Sequence, residues 1–240
     1  MLFYSCRSFN KIDDRFKFWL DSIHCKQLKI VFEMKNILFV IVILLNVRAS
    51  GQNASEEFDG KNWKAPYVLD TIKGWDVERF LIPISFAPSI LYKGVEDIRF
   101  TPGWAKRSTN EYWSYAFLWY LDGTPTFDAK TIENNLKAYY TGLIKVNSDS
   151  AKIADKLFPV IATIRPGSTE KGDMKTFEGS VNMLDYMSQK PISLNFVIHI
   201  KTCEKKDKTF VFHEISPMPY SDEVWKRLHD LWVNFKCTVK

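Results

Sequence analysis

The sequence predicts an α+β fold, a single domain whose antiparallel sheet is covered by two main helices. Three observations carry this expectation. Glu111 to Gly123 (EYWSYAFLWYLDG) sets large rings at every second position, the period of a strand. The stretches after Asp128 and after Ser221-Asp222 instead repeat apolar residues at helical spacing. Between them, the last third of the chain returns to runs rich in aromatic and β-branched residues, separated by turn residues.

Taken in order, Gln52 to Pro66 is a polar lead-in, and the globular domain is expected over 67–240. Gly74 to Ile90 is extended but broken by Pro83 and Pro88, which places it at a sheet edge. Val95 to Thr101 is a short strand stopped by Pro102-Gly103. Glu111 to Gly123 is the central strand, with Trp113, Tyr115, Phe117 and Trp119 on one face and Tyr112, Ala116, Leu118 and Tyr120 on the other. Asp128 then caps a helix whose Ile132, Leu136, Tyr139 or Tyr140, and Leu143 share one face, with Gly142 weakening its last turn. Val160 to Ile164 reads as a buried strand. Phe177–Tyr186, Ile192–Thr202 and Thr209–Ser216 form a meander, and Ser221 or Asp222 caps the closing helix with its stripe of Val224, Leu228, Leu231, Trp232 and Phe235.

Charge excludes one class of partner. The net charge of +5 is concentrated in residues 1–51, where eight basic side chains face four acidic ones; the other 189 residues carry a surplus of one. No basic stripe remains to neutralise phosphates, so nucleic acid is not expected as a partner.

The N-terminus points to export. Met34-Lys35, the apolar run Ile37–Leu45, and Ala49-Ser50-Gly51 before Gln52 are the three parts of a signal peptide over 34–51. The apolar run is about half of the roughly 20 residues that a spanning helix needs, so no stable transmembrane anchor is expected after cleavage. Residues 1–33 then read as an over-extended start or a leader. Cys6 and Cys25 lie in the removed part, which leaves Cys203 and Cys237 as a disulfide pair in an oxidising compartment, periplasmic or extracellular.

Sequence motifs for phosphate cradles, nucleophile elbows and zinc-protease helices are absent, and no cofactor is implied. The mature chain has three histidines, His199, His213 and His229. A hairpin centred on Lys206 would place His199 opposite His213, close enough to share a proton or a metal. Two histidines are a short ligand list, so no metal is assigned. The aromatic residues Trp104, Tyr112, Trp119 and Tyr120 are the candidate ligand contacts, as the lining of a concavity on the sheet.

Three segments, Gly94–Trp104, Glu111–Gly123 and Ser216–Cys237, resemble an uncharacterised family of exported bacterial proteins. The resemblance implies export and a compact α+β domain, and it carries no activity or catalytic residues. The expectation is therefore a non-catalytic envelope or secreted protein that binds a small molecule or an envelope protein. The alternatives are an extracytoplasmic hydrolase or metal-binding enzyme using His199 and His213, and a structural component of an envelope complex.

Overall fold

Alternation along the chain builds one sheet with both faces covered. The computed structural model describes residues 58–148, 158–203 and 207–237, all within the unit Phe58–Lys240. The leader, the signal peptide and the start of the lead-in lie outside the described residues, as do Ala151–Leu157 and part of the turn at Glu204–Lys208.

The strands are β1 (Asp76–Ile82), β2 (Gly94–Phe100), β3 (Tyr115–Asp122), β4 (Ile161–Pro166), β5 (Lys175–Asp185), β6 (Lys190–Cys203) and β7 (Lys208–Ser216). Helix α1 (Ala129–Asn147) joins β3 to β4, and helix α2 (Glu223–Val233) follows β7. The spatial order is β1-β2-β3-β7-β6-β5-β4, and every neighbouring pair is antiparallel. Two meanders, β1–β3 and β4–β7, thus meet in the middle, where Tyr115 faces Ile215 and Asp122 faces Lys208.

On the first face Tyr115, Phe117, Trp119 and Leu121 pack with Ile98, Ile198, Val211 and the buried side of α1 (Ile132, Leu136, Tyr139, Tyr140). On the second face Ala116, Leu118, Phe210 and Phe212 pack with Tyr67, Leu69, Trp75 and the buried side of α2 (Val224, Trp225, Leu228, Leu231, Trp232). Both helices start at a carboxylate cap. Asp128 accepts the Thr131 N–H at 2.7 Å, and Asp222 accepts the Val224 N–H at 2.9 Å.

The expected fold class is corrected. Among the described residues the protein is a largely β fold, 38% strand and 18% helix, and not a sheet covered by two main helices. The helices have 19 and 11 residues, and much of each face is closed by irregular chain. Ile84, Ala87 and Ile90 cover part of the first face, and Tyr67, Leu69 and Trp75 part of the second. Two strands are also longer than expected, with 14 residues in β6 and 11 in β5.

Three local readings change as well. The central strand begins at Tyr115, because the chain before it is drawn into successive turns (Lys106 N–H to Gly103 O, Thr109 N–H to Lys106 O, Tyr112 N–H to Thr109 O). Trp113 sits in that turn region with φ 55°. The strand expected to be buried near Val160 is the edge strand β4, whose Ile161 is 52% exposed. Helix α1 runs on past Gly142 to Asn147, and the glycine has a packing reason: a Cβ there would lie 1.8 Å from the Phe86 carbonyl oxygen. The helix and the 83–92 segment approach each other through the space left by its missing side chain.

Cys203 and Cys237 are disulfide-bonded, with Cα atoms 6.1 Å apart and a sequence separation of 34. Beside the bridge, Val68 and Lys236 exchange two backbone hydrogen bonds of 2.9 and 3.0 Å. A closed loop of this size is worth roughly 3–4 kcal/mol in the chain-entropy model. Replacing both cysteines by serine is therefore expected to lower the unfolding free energy by about that amount, read from urea denaturation of the oxidised protein and the double variant.

Candidate functional site

The two faces of the sheet each offer one site. On the first face, β1, β2 and β3 leave a cavity of about 350 Å³ against the C-terminal half of α1. Its wall is mostly aromatic, formed by Phe80, Phe100, Trp104, Trp113, Tyr115 and Tyr139, with Leu143 from the helix and Glu78 as its one carboxylate. Burial, followed by the charge of Asp76, raises the Glu78 carboxyl above its ordinary range.

Close to this cavity, Glu96 is fully buried in the core. It accepts the Trp119 indole N–H at 2.8 Å and the Tyr139 hydroxyl at 2.8 Å. Burial raises its pKa to about 7; the two donors oppose the rise, and Glu78 adds to it.

On the second face, five titratable side chains from four parts of the chain converge. His199 on β6 and Glu214 on β7 are diagonal neighbours, since Val197 pairs with Glu214 and His199 with Phe212. The turn before β5, where the Asp173 N–H bonds to the Glu170 carbonyl and Gly172 takes φ 93°, brings in Glu170 and Asp173. Helix α2 lays His229 and Trp232, one turn apart, over the cluster.

His199 is fully buried and held at both ring nitrogens. Its Nδ1 lies 2.7 Å from Asp173 Oδ2 and its Nε2 3.2 Å from Glu214 Oε1. Glu214 Oε1 also meets His229 Nδ1 at 3.0 Å. Asp173 is fixed in turn by the Trp232 indole N–H at 3.1 Å and the Thr176 hydroxyl at 3.1 Å. Burial pulls the His199 pKa down, but hydrogen bonds to Asp173 and Glu214 outweigh it and push the value up to about 9. The His229 pKa is also raised, first by its hydrogen bond to Glu214. Glu170, His199 and His229 each bring a possible ligand atom within 4.8 Å of the other two, so among the described residues these could hold a metal ion. A cleft of about 680 Å³ opens beside them, lined by Glu170, Glu214, Lys226 and His229 among others.

The expected opposition of His199 and His213 is corrected. The hairpin register is one residue off the expected one, so His199 faces Phe212 and His213 faces Ile198. The two histidines therefore lie on opposite faces of the sheet. His213 is buried in the first face, stacked on Phe117 with ring centroids 4.0 Å apart, and burial lowers its pKa to about 3. It is a neutral core residue, while His199 belongs to the second-face cluster.

The four candidate ligand contacts are dispersed. Trp104 lines the cavity, its ring tilted against Phe100 with centroids 4.5 Å apart. Tyr112 packs beside the first-face core and donates its hydroxyl to Asp185. Trp119 is 1% exposed, with its indole N–H on Glu96. Tyr120 lies on the second face, between Tyr67 and Phe210 at 5.3 Å from each.

Sequence reasoning missed Glu170, Asp173 and Glu214, and it read Trp232 only as part of a helical stripe. Glu214 does face away from His213, but it shares a face with His199. The one usable signal was His213-Glu214 itself, two adjacent polar residues inside a largely apolar strand, which puts one polar side chain on each face. No family model, curated protein or solved structure matches the chain.

The buried Glu96 sets a pH dependence. Its folded pKa of about 7 lies above the ordinary 4.5, so the folded state holds the proton more tightly. The associated stability is fully present below pH 4.5 and is lost as pH rises through 7. Relative to Glu96→Gln, the protein is expected to lose on the order of 3 kcal/mol between pH 4.5 and 8. Paired urea unfolding curves at the two pH values measure this difference.

Proposed function

We propose that the protein is an exported, non-catalytic binding protein that takes a small, flat apolar molecule into the first-face cavity. The observation that carries this reading is the cavity itself. Its volume of about 350 Å³ falls in the range of small-molecule pockets, and aromatic walls with few polar groups are the common lining of such sites. The exposed Phe80 and Val146, at 39% and 61%, stand at its mouth. A single carboxylate, Glu78, gives the ligand one polar end to orient against.

Export is part of the proposal. The signal-peptide pattern at 34–51 supports it, and so does the Cys203–Cys237 disulfide, which persists in oxidising compartments. Among the described residues, no helix is long and apolar enough to cross a membrane. The intact mass of the native exported protein tests this part. A mass starting at Gln52 with no alkylatable thiol before reduction is expected; a mass that includes residues 1–33 with free thiols would refute export by this route.

The binding reading is tested with N-phenyl-1-naphthylamine, a neutral aromatic probe whose fluorescence rises in apolar surroundings. Saturable binding at one site per chain is expected, with quenching of tryptophan emission from Trp104 and Trp113. Leu143→Trp, which adds bulk from a half-buried helix position into the cavity, is expected to weaken binding at least tenfold while leaving the far-ultraviolet circular dichroism unchanged. Unchanged affinity in a folded Leu143→Trp protein would place the probe elsewhere and remove the proposal's support.

A further inference from the structure

The second-face cluster is unused by the ligand cavity, and its bonding has an asymmetry. Asp173 and Glu214 hold the imidazoles at 2.7 to 3.2 Å. Glu170 does not. Its Oε2 lies 3.5 Å from His229 Nε2 and 3.9 Å from His199 Nδ1, distances of an ion pair rather than of hydrogen bonds. One ring nitrogen of each histidine thus faces Glu170, while the other nitrogen of each, His199 Nε2 and His229 Nδ1, meets the same oxygen of Glu214.

We propose that Glu170 Oε2, His199 Nδ1 and His229 Nε2 bind a divalent zinc-like transition-metal ion, and that Glu214 orients both imidazoles from behind.

Geometry is the first support. Metal–ligand bonds of about 2.0–2.2 Å set tetrahedral ligand atoms about 3.3–3.6 Å apart. The Glu170–His229 separation of 3.5 Å already meets this, and the Glu170–His199 separation of 3.9 Å needs only a small side-chain adjustment. Glu214 is the second. A ligating imidazole characteristically donates its remote N–H to a carboxylate, which fixes the ring and the tautomer, and one carboxylate does so here for both rings. Access is the third. The His229 and Glu170 side chains are 34% and 41% exposed at the cleft, whereas His199 is sealed behind them, so the ion has an entry side and a closed side. The rim carries Glu178, Asp222 and Glu223 against Lys226, a field that favours cations.

Two imidazoles with one carboxylate select the metal class. Calcium and magnesium prefer all-oxygen shells, whereas zinc and its first-row neighbours accept nitrogen donors. Three protein ligands leave a coordination position toward the cleft, the arrangement of an open rather than a closed site. For Nδ1 to serve as a ligand, His199 must release its proton to solvent and give up its hydrogen bond to Asp173, which the Trp232 indole and the Thr176 hydroxyl continue to hold.

The test uses the full chain, purified without a histidine tag and stripped with a chelator, with zinc chloride alone as the probe. Calorimetry is expected to show one zinc per chain with submicromolar affinity, and cobalt(II) is expected to give the visible absorption of a low-coordinate nitrogen–oxygen site. His229→Ala and Glu170→Ala, both at partly exposed positions, are expected to weaken zinc at least 100-fold. Glu214→Gln touches no metal and is expected to weaken it about 10- to 100-fold. Lys130→Ala, exposed on α1 against the other face of the sheet, serves as the control that leaves affinity within about twofold. Absence of stoichiometric zinc on the folded wild-type protein, or zinc binding that survives His229→Ala in a variant with wild-type circular dichroism, would overturn the proposal. Loss of N-phenyl-1-naphthylamine binding in Leu143→Trp reports on the other face, so the two readings fail separately.

Discussion

A sheet covered on both faces has no solvent side for its polar residues, and that constraint organises this protein. Glu96, Asp97, Arg99, His199, His213 and Glu214 all lie on interior strands and are 2% exposed or less. The charged ones among them must find their partners inside, because an unsatisfied buried polar group costs about 1–3 kcal/mol and a bare charge more. Arg99 forms an ion pair with Asp97 and donates to the backbone carbonyls of Ile98, Leu69 and Asp70. Tyr67 donates to the same Asp97 at 3.0 Å, and Arg79 from the edge strand completes its pairing at 2.9 Å. The polar requirement of β2 therefore explains why the irregular segment from Tyr67 to Asp70 is pinned across the second face. Covering chain and buried charge are satisfied by the same contacts.

The same constraint decides what could be read from the sequence. Strands β2, β5, β6 and β7 and both helices were legible within a few residues, since periodicity and carboxylate caps are local signals. Register was not. Placing His199 opposite His213 assumed that one face of the β6–β7 hairpin is apolar and the other wet. In β7 every residue after Lys208 is buried, with Phe210 and Phe212 on one face and Val211 and Ile215 on the other. A one-residue slip then exposes no apolar set, and parity loses the penalty that normally fixes it. Pairing of Cys203 with Lys208 leaves a four-residue connection in place of the expected five, and the slip follows. The helical signals were sound, but they gave no measure of how much of each face irregular chain would cover, so the fold class was weighted too far toward helix.

The candidate sites were legible in proportion to their sequence locality. The aromatic richness of Glu111–Gly123 correctly marked the first-face core, yet alternation divides those rings between faces, with Trp119 on one and Tyr120 on the other. The cavity takes Trp113 and Tyr115 from this stretch and adds side chains of β1, β2, the turn at Trp104 and α1, a combination set by topology. The histidine cluster is similar in kind. Its members sit at 170, 173, 199, 214 and 229, and no spacing among them repeats a known motif. Only the adjacency of two interior polar residues, His213 and Glu214, pointed to partners on both faces. For Glu214 those partners are His199 and His229; His213 instead stacks on Phe117 and lies against the tilted ring of Trp119.

Holding α2 in place is what makes the second-face cluster a site and not a chance meeting of side chains. A surface helix of 11 residues has little stability of its own, and its position comes from packing. Here it is also tied at its far end. Cys203 lies four residues beyond His199 on β6, and its disulfide partner Cys237 lies four residues beyond the end of α2. The paired backbone bonds between Val68 and Lys236 close the same end from the other side. Trp232 stacks on Phe212 at 5.3 Å, lies against His199 and donates to Asp173, so the helix is keyed to the sheet by one ring next to the cluster. His229, one turn earlier, has no freedom to drift from Glu214 without breaking that stack. The disulfide therefore restrains the same helix end and strand end that carry His229 and His199, the two histidines that share Glu214.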